Sequence, residues 1–599
     1  MYKRLRPWIS VTIHYRIRRY LKLFEEIETT QKKDNYLFEM FYIVPTFMQS
    51  NHIFIRHVVY EIHFILKNAF DNYAKSQLTF IQSITDLAAK PNYVECLYEN
   101  NVIDIVLPLV TNINPTVRMN AVLSLARLAG NSENCAKQIL CSKDLLNRLL
   151  GQIIKENKYY KKSCMHLIKS LSKYSAINSK IVLKECGGIN ALLTCMKDFD
   201  VYVREGAMQA ITSIARHDAS LSQFLIDSGV LPQIISCLKE QHQNLKLCAL
   251  TVLDEIAKQN QHLAQIVVEV STLPLVMNYL SQNFTDVKVQ RSALILLKNI
   301  VKHSLLLTES AIESNLFPEI LLLMAHPDEL IRVNAAKVIC EIVKQSVQIA
   351  QLVVNNGGIA SLINVISCSK EHPATPAILA LGYISAMSPL LASAVIQSKG
   401  LLHLIAILKS NVDRFTKAGA IWTIGLIGQH SSEHSRSVAA SDALNIMMDI
   451  YINSNLENEC KHKCRTALQL ILKECDDYTV FENLLTPSTP VEIMTFILNK
   501  ISKILPKNTK SRRSFITNGL LKMIQNLKPE IDSELFQVIQ AVNCCFPEDI
   551  IQMVAGDFPE TVMKKVDKYV PENHCLFYNR QVKDGKIPPP NEPYLSGEE

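Results

Sequence analysis

Between Asn244 and Ala257 the apolar residues fall at Leu245, Ala249, Val252, Leu253 and Ile256, three and four positions apart. A helix over this stretch therefore carries one apolar stripe, with polar residues on its other face. The same stripe returns as Leu294, Leu297 and Ile300, and again as Ala336, Ile339 and Ile342. A short polar signature follows each helix at a fixed distance. Ala215-Arg216-His217 reappears forty-two residues later as Ala257-Lys258-Gln259, then as Val301-Lys302-His303, Val343-Lys344-Gln345 and Ser385-Ala386-Met387. It also runs backward through Ser172-Lys173-Tyr174 and Ala129-Gly130-Asn131 to Ala88-Ala89-Lys90. A period in the low forties predicts a repeat array, in which each unit leaves one face uncovered until its neighbour stacks on it.

Within the unit from His217 to Ala257, residues 220–226 form a short first helix, Gly229 breaks it, Leu231-Pro232 opens a second helix through Leu238, and residues 244–257 make the third. Proline in the first turn of a helix costs no hydrogen bond, and glycine accepts the positive φ that a sharp corner between helices needs. Gly229, Asn315 and Gly357 share the corner phase, with Gly188 and Gly400 within two residues of it. Three helices with a glycine corner predict an all-α armadillo-repeat superhelical solenoid, with about ten repeats over residues 61–528. Residues 1–60 read as a divergent extension, 529–571 as a helical cap and 572–599, with Pro588-Pro589-Pro590, as a disordered tail.

Composition narrows the function. Hydrophobic residues make up 48% of the 599 and charged residues 20%, enough for a long helical core, and a net charge of +7 is too mild at this length to imply nucleic acid. The sixteen cysteines include Cys248 and Cys340 on apolar helical faces, where a thiol acts as a small hydrophobe, so a reducing cytosolic setting is expected. No uncharged apolar run of membrane-spanning length occurs. The first 24 residues hold seven Lys/Arg before the first acid, Glu25, the look of a loose organelle presequence, and no function is built on them.

Candidate chemistry is sparse. Gly187-Gly188 and Gly357-Gly358 sit at the repeat corner without the Lys-Ser/Thr of a phosphate loop. Cys460 and Cys464 lie on one helical face without a second pair at zinc-site spacing, so core thiols are expected there. No catalytic residue, metal, cofactor, nucleic acid, membrane or small-molecule substrate is assigned. The most regular polar signal is the cation after each register residue: Lys173, Arg216, Lys258, Lys302 and Lys344. It reads either as a basic ladder offered to an acidic partner or as the cation that a helix C-terminus favours through its dipole. Third helices of armadillo proteins line a groove, which makes Gln209, Ser213, Arg216, Glu255, Lys258, Asn299, Lys302, Lys337 and Lys344 the candidate protein-binding residues. The Trp and Asn ladder of nuclear-signal readers is not repeated: Trp422 alone fills a Trp slot, and Leu426 holds the matching Asn slot.

Four stretches carry a more specific likeness: RFTKAGAIWTIGLIGQHSSEHSRSVA (Arg414 to Ala439), PAILALGYISAMSPLLASAVIQSKG (Pro376 to Gly400), SKILPKNTKSRRSFITNGLLKMIQ (Ser502 to Gln525) and NCCFPEDIIQMVAGDFPETVMKKVDKY (Asn543 to Tyr569). They resemble the sperm-associated antigen 6 family of armadillo proteins, from about His63 to Tyr569. The resemblance implies a non-enzymatic component of the central apparatus of the ciliary and flagellar axoneme, needed for beating, whose partners are axonemal central-apparatus proteins and tubulin. The alternative is a soluble armadillo adaptor that holds an extended peptide. Gln259, Gln345 and Met387 depart from the His the family has after the register cation, and residues 1–60 and 574–599 have no family counterpart.

Overall fold

The computed structural model describes residues 53–281, 286–369, 374–453, 458–527, 533–547, 550–551 and 566–569, and among them every regular element is a helix. The basic amino-terminal stretch, the tail from 572 and most of the likeness between 548 and 565 lie outside the described residues. The chain divides into two units, Met1–Leu275 and Val276–Glu599. Each is built from the same three-helix motif.

The motif falls where the pattern places it. Helices Ala219–Asp227, Leu231–Lys239 and Gln243–Gln259 form one repeat, and Leu245, Ala249, Val252, Leu253 and Ile256 are all fully buried. Burying each large aliphatic side chain contributes about 1.5–3 kcal/mol, so the stripe is the main source of cohesion. Third helices stack on third helices. In the first unit these are α1 (Ile53–Ala88), α2 (Pro115–Asn131), α3 (Lys158–Leu171), α4 (Val201–Ala215) and α5 (Gln243–Gln259), each packed on the next. In the second they are α6 (Val287–Val301), α7 (Glu329–Val343), α8 (Thr375–Met387), α9 (Arg414–Gly428), α10 (Asn458–Glu474), α11 (Val491–Ile504) and α12 (Glu534–Asn543).

Local chemistry sets the helix ends. Seven of the third helices start on capping side chains: Asn114, Asn157, Asp200, Asp286, Asp328, Asp413 and Ser533 each accept a backbone N–H two or three residues on. First helices start on Ser175, Asp218, Asn260, Ser304, Ser346 and Ser388 in the same way. The corner is a left-handed residue at Gly229 (φ +84°), Asn315 (+67°) and Gly357 (+82°), as the phase predicts. It falls on Gly187 and Lys399 rather than on Gly188 and Gly400. Those two glycines serve a different need: a Cβ on Gly188 would lie 2.6 Å from the Val182 carbonyl oxygen, and one on Gly400 2.8 Å from Val395 Cγ1.

A row of ion pairs fastens the N-terminal ends of the third helices to the next repeat. Arg118 meets Glu156 at 2.7 Å, Lys161 meets Asp198 at 2.7 Å, Arg204 forks onto Glu240 and Arg291 onto Asp328. Burial pushes the Asp198 carboxyl up, but Lys161 and the Asp200 N–H outweigh it and hold its pKa below the usual range; Asp328 is depressed the same way, against burial, by Arg291 and the Ile331 N–H. A carboxylate depressed in the folded state stabilises fully above its unfolded pKa, near 4, and that stabilisation is lost as pH falls through the folded value. Thermal midpoints are therefore expected to be level from about pH 8 to about pH 5 and to drop below about pH 4. Asp198→Asn should flatten the acid limb in a melting series; an unchanged limb would show that the pair contributes nothing.

Candidate functional site

The C-terminal ends of the third helices explain the polar signature. Its last residue reaches back one whole repeat to the open carbonyls of the preceding third helix. Asn131 Nδ2 donates to Ala88 O (3.1 Å), Tyr174 Oη to Gly130 O (2.8 Å), His217 Nε2 to Ser172 O (2.5 Å) and His430 Nε2 to Ser385 O (2.6 Å). Gln259 Nε2 donates to Ala215 O (2.8 Å), and Gln345 Nε2 to Val301 O (3.2 Å). Glutamine thus does the work of histidine, because either side chain can carry an N–H across the gap; Met387 has no donor to offer. The cations of the signature are partly spent in the same region. Lys173 Nζ donates to Gly130 O at 2.9 Å, Arg216 pairs with Glu255 at 3.1 Å, and Lys344 pairs with Glu341 at 3.1 Å beside the Tyr383 ring.

In the first unit the exposed sides of α2, α3, α4 and α5 enclose a groove of about 620 Å³. Arg127, Lys169, Lys173 and Arg216 line it together with Asn131, His166, Gln209, Ser213 and Thr251, and none of its lining residues is Asp or Glu. The walls hold the cations in place. Arg127 donates to Thr85 O at 2.6 Å, Lys169 to Gln209 Oε1 at 3.0 Å, and Ser213 Oγ to Lys169 O at 3.2 Å. His166 has its pKa lowered by burial and then by the charges of Lys169 and Arg127, which favours the neutral ring. Arg127 lies 3.8 Å from Asp86 and Arg216 is paired with Glu255, so the charge left to the groove is that of Lys169 and Lys173, which favours a negative ligand, and the polar floor can hydrogen-bond a backbone laid along it.

The structure brings Gln209, Ser213 and Arg216 together on this groove and leaves the other candidates apart from it. Glu255 and Asn299, expected on open helix faces, are buried, at 8% and 4% exposure. Glu255 sits under Arg216, so helix periodicity alone misplaces it: the neighbouring repeat covers a position that an isolated helix would expose. Lys258 is exposed at the end of α5. In the second unit Lys302 is half-buried, and Lys337 donates to Asn334 Oδ1 at 3.2 Å, its pKa lowered by desolvation and by Lys298. Burial works against the Lys344 charge, yet Cys340, Glu341 and Tyr383 more than offset it and hold its pKa above the usual.

Sequence reasoning missed Arg127 and Lys169, the two groove cations outside the register triplets. It also missed the ion-pair row, although Arg118, Lys161 and Arg204 are each 43 residues apart and each precedes its acid by 36 to 38. Cys460 and Cys464 are buried, and the Cys464 thiol is pushed up by its hydrogen bond with Cys460 and by burial, as core thiols are. Among the described residues no cluster of three His, Cys, Asp or Glu is placed to hold a metal. Among them, too, no single helix is long and apolar enough to cross a membrane.

Capped three-helix units, left-handed corners and stacked third helices flanking a groove define an armadillo-repeat protein. Over 158 residues, 26% of the chain, it is 34% identical to sperm-associated antigen 6 of Homo sapiens, and over 155 residues 33% identical to the same protein of Mus musculus. These relatives meet the resemblance read from the residues. The matched stretch spans 31% of the human protein, so the likeness covers about a third of the length of the curated relatives. No protein-family model matches the chain. Among solved structures, an engineered protein aligns with 76% of this chain and all of its own at a TM-score of 0.56 and 16% identity, a likeness of fold. A designed armadillo repeat protein aligns with 40% of this chain at a TM-score of 0.37 and 20% identity.

Proposed function

We propose that this chain is a non-enzymatic scaffold of the axonemal central apparatus of motile cilia and flagella, and that its first-unit groove holds an extended acidic segment of a neighbouring axonemal protein or of tubulin. The observation that carries the reading is the groove itself, where Lys169 and Lys173 have no carboxylate partner among the described residues and the floor is polar. The axonemal setting rests on the likeness to sperm-associated antigen 6. Repeat scaffolds present such surfaces as their means of recognition, and the groove, not the fold, carries the specificity.

Detergent-extracted axonemes test both halves. The full chain should pellet with them at low salt and be released as ionic strength rises, because exposed charges are screened beyond a Debye length of about 8–10 Å. Lys169 and Lys173 are exposed, so Lys169→Glu with Lys173→Glu should keep the fold while weakening pelleting about tenfold or more. Wild-type chain left in the supernatant would overturn the axonemal reading and favour the soluble adaptor. A double variant that pellets as well as wild type would overturn the groove.

A further inference from the structure

A second surface lies on the first unit at the N-terminal ends of α3 and α4, away from the helix ends that carry the polar signature. Here four large apolar side chains stand in solvent: Ile154 (70% exposed), Tyr159 (58%), Phe199 (102%) and Tyr202 (57%). Only the tyrosines hold equivalent positions; Ile154 stands four residues before α3 and Phe199 two before α4. Ile154 and Phe199 occupy the turns before α3 and α4, and Tyr159 and Tyr202 are the second residues of those helices. The next repeat has Gln241 and Asn244 at the positions of Phe199 and Tyr202, so the aromatic row ends there.

The row is rigidly presented. Glu156 in the first turn is held by Arg118, and Asp198 in the second by Lys161 and by the Asp200 N–H at 2.9 Å. Lys162 Nζ lies 4.6 Å from the centre of the Tyr202 ring, and Lys158 bridges the repeats by sitting 5.5 Å from the Tyr159 ring and 3.4 Å from Asp200. The ion pairs also decide the local charge. All three carboxylates of the rim, Glu156, Asp198 and Asp200, are taken by Arg118, Lys161 and Lys158. Lys155, Lys162 and Lys197 beside them have no carboxylate partner among the described residues. An apolar centre flanked by uncompensated cations asks for an apolar ligand flanked by carboxylates.

We propose that this rim docks an acidic amphipathic α-helix of a protein partner, with its apolar stripe on the Ile154, Tyr159, Phe199 and Tyr202 row and its carboxylates on Lys155, Lys162 and Lys197. The spacing fits. Packed helices stand about 8–10 Å apart, so anchors on successive repeats recur at that interval, and two turns of a helix advance about 10.5 Å. A partner with an apolar residue every seventh position therefore meets both repeats in step. A row two side chains wide matches a helix better than the broad face of a lipid bilayer. Tyrosine is also among the side chains enriched at the anchoring positions of protein interfaces. This surface is separate from the groove and does not depend on it.

The test uses the full chain and a synthetic helical peptide with leucine at heptad a and d positions and glutamate on both flanks, alongside a scrambled peptide of equal composition. The striped peptide should bind, and the scrambled one about tenfold or more weaker. Phe199→Ser with Tyr202→Ser should lose about tenfold or more, and reversing Lys155, Lys162 and Lys197 to glutamate should lose as much and reverse the sign of the salt dependence. Lys155, Lys197, Phe199 and Tyr202 are exposed and Lys162 is half-buried over the Tyr202 ring, so melting midpoints of each variant are measured alongside and should stay close to the wild-type value. The groove variant Lys169→Glu with Lys173→Glu should bind the peptide normally, which separates a failure here from a failure of the groove. Equal binding of both peptides, or wild-type affinity in both rim variants, would overturn the proposal. Capture of phosphatidylserine vesicles by a chain that ignores the striped peptide would overturn it in favour of a lipid surface.

Discussion

Gly425→Ala is expected to destabilise the second unit by about 1–3 kcal/mol, against the usual benefit of alanine over glycine in a helix. Gly425 lies in α9 where that helix presses on α10, and a Cβ there would stand 2.8 Å from Ala467 Cβ and 2.9 Å from Ala467 Cα. No side-chain rotation relieves a contact with a neighbouring backbone, so the helices must separate and the stripes on both lose contact. Gly419 sits six residues earlier in the same helix and is the control. Its added Cβ would meet nothing nearer than Leu379 Cδ2 at 3.7 Å, an ordinary van der Waals distance. Gly419→Ala should therefore stabilise by about 0.4–1 kcal/mol, chiefly by restricting the unfolded chain. Urea unfolding of the two variants should shift in opposite directions. A shift of the same sign in both would mean that α9 and α10 do not approach as closely as described.

The second large effect concerns Arg216, a candidate for partner binding by its place in the register. Arg216→Ala should cost about 1–3 kcal/mol of stability, because it strands an acceptor that the fold has already removed from water. Glu255 has a side chain only 10% exposed and takes its hydrogen bond from Arg216 Nε at 3.1 Å, while its second carboxylate oxygen finds no other donor. Replacing both partners removes the mismatch, so Arg216→Ala with Glu255→Leu should recover most of the loss. Thermal and urea unfolding of the single and double variants measure this coupling. Additive losses would show that the pair is not coupled and would free Arg216 to be read as a groove residue alone. This is also why Lys169 and Lys173, whose partners are a glutamine and a backbone carbonyl, are the better probes of the groove.

The linear pattern of residues was enough to determine the repeat. Leu245 to Ile256 is a helix because its apolar residues recur at helical spacing, and the signature that starts at Ala215 recurs because every repeat must end its third helix in the same way. The corner at Gly229 was equally legible, since positive φ is a demand on a single residue. These are properties of one helix or one turn, and one-dimensional spacing carries them. Tertiary structure alone decided what each polar residue does. His217, Gln259 and Gln345 look like unrelated substitutions along the chain, yet all carry an N–H to a carbonyl one repeat back. Glu255 reads as an exposed position on α5 until α4 brings Arg216 over it. Which lysines remain free to meet a partner follows from which acids the ion pairs between repeats have already taken, across separations of 36 to 42 residues. Reach and rotation between neighbouring helices settle such pairings, and neither is written in the spacing of any single helix.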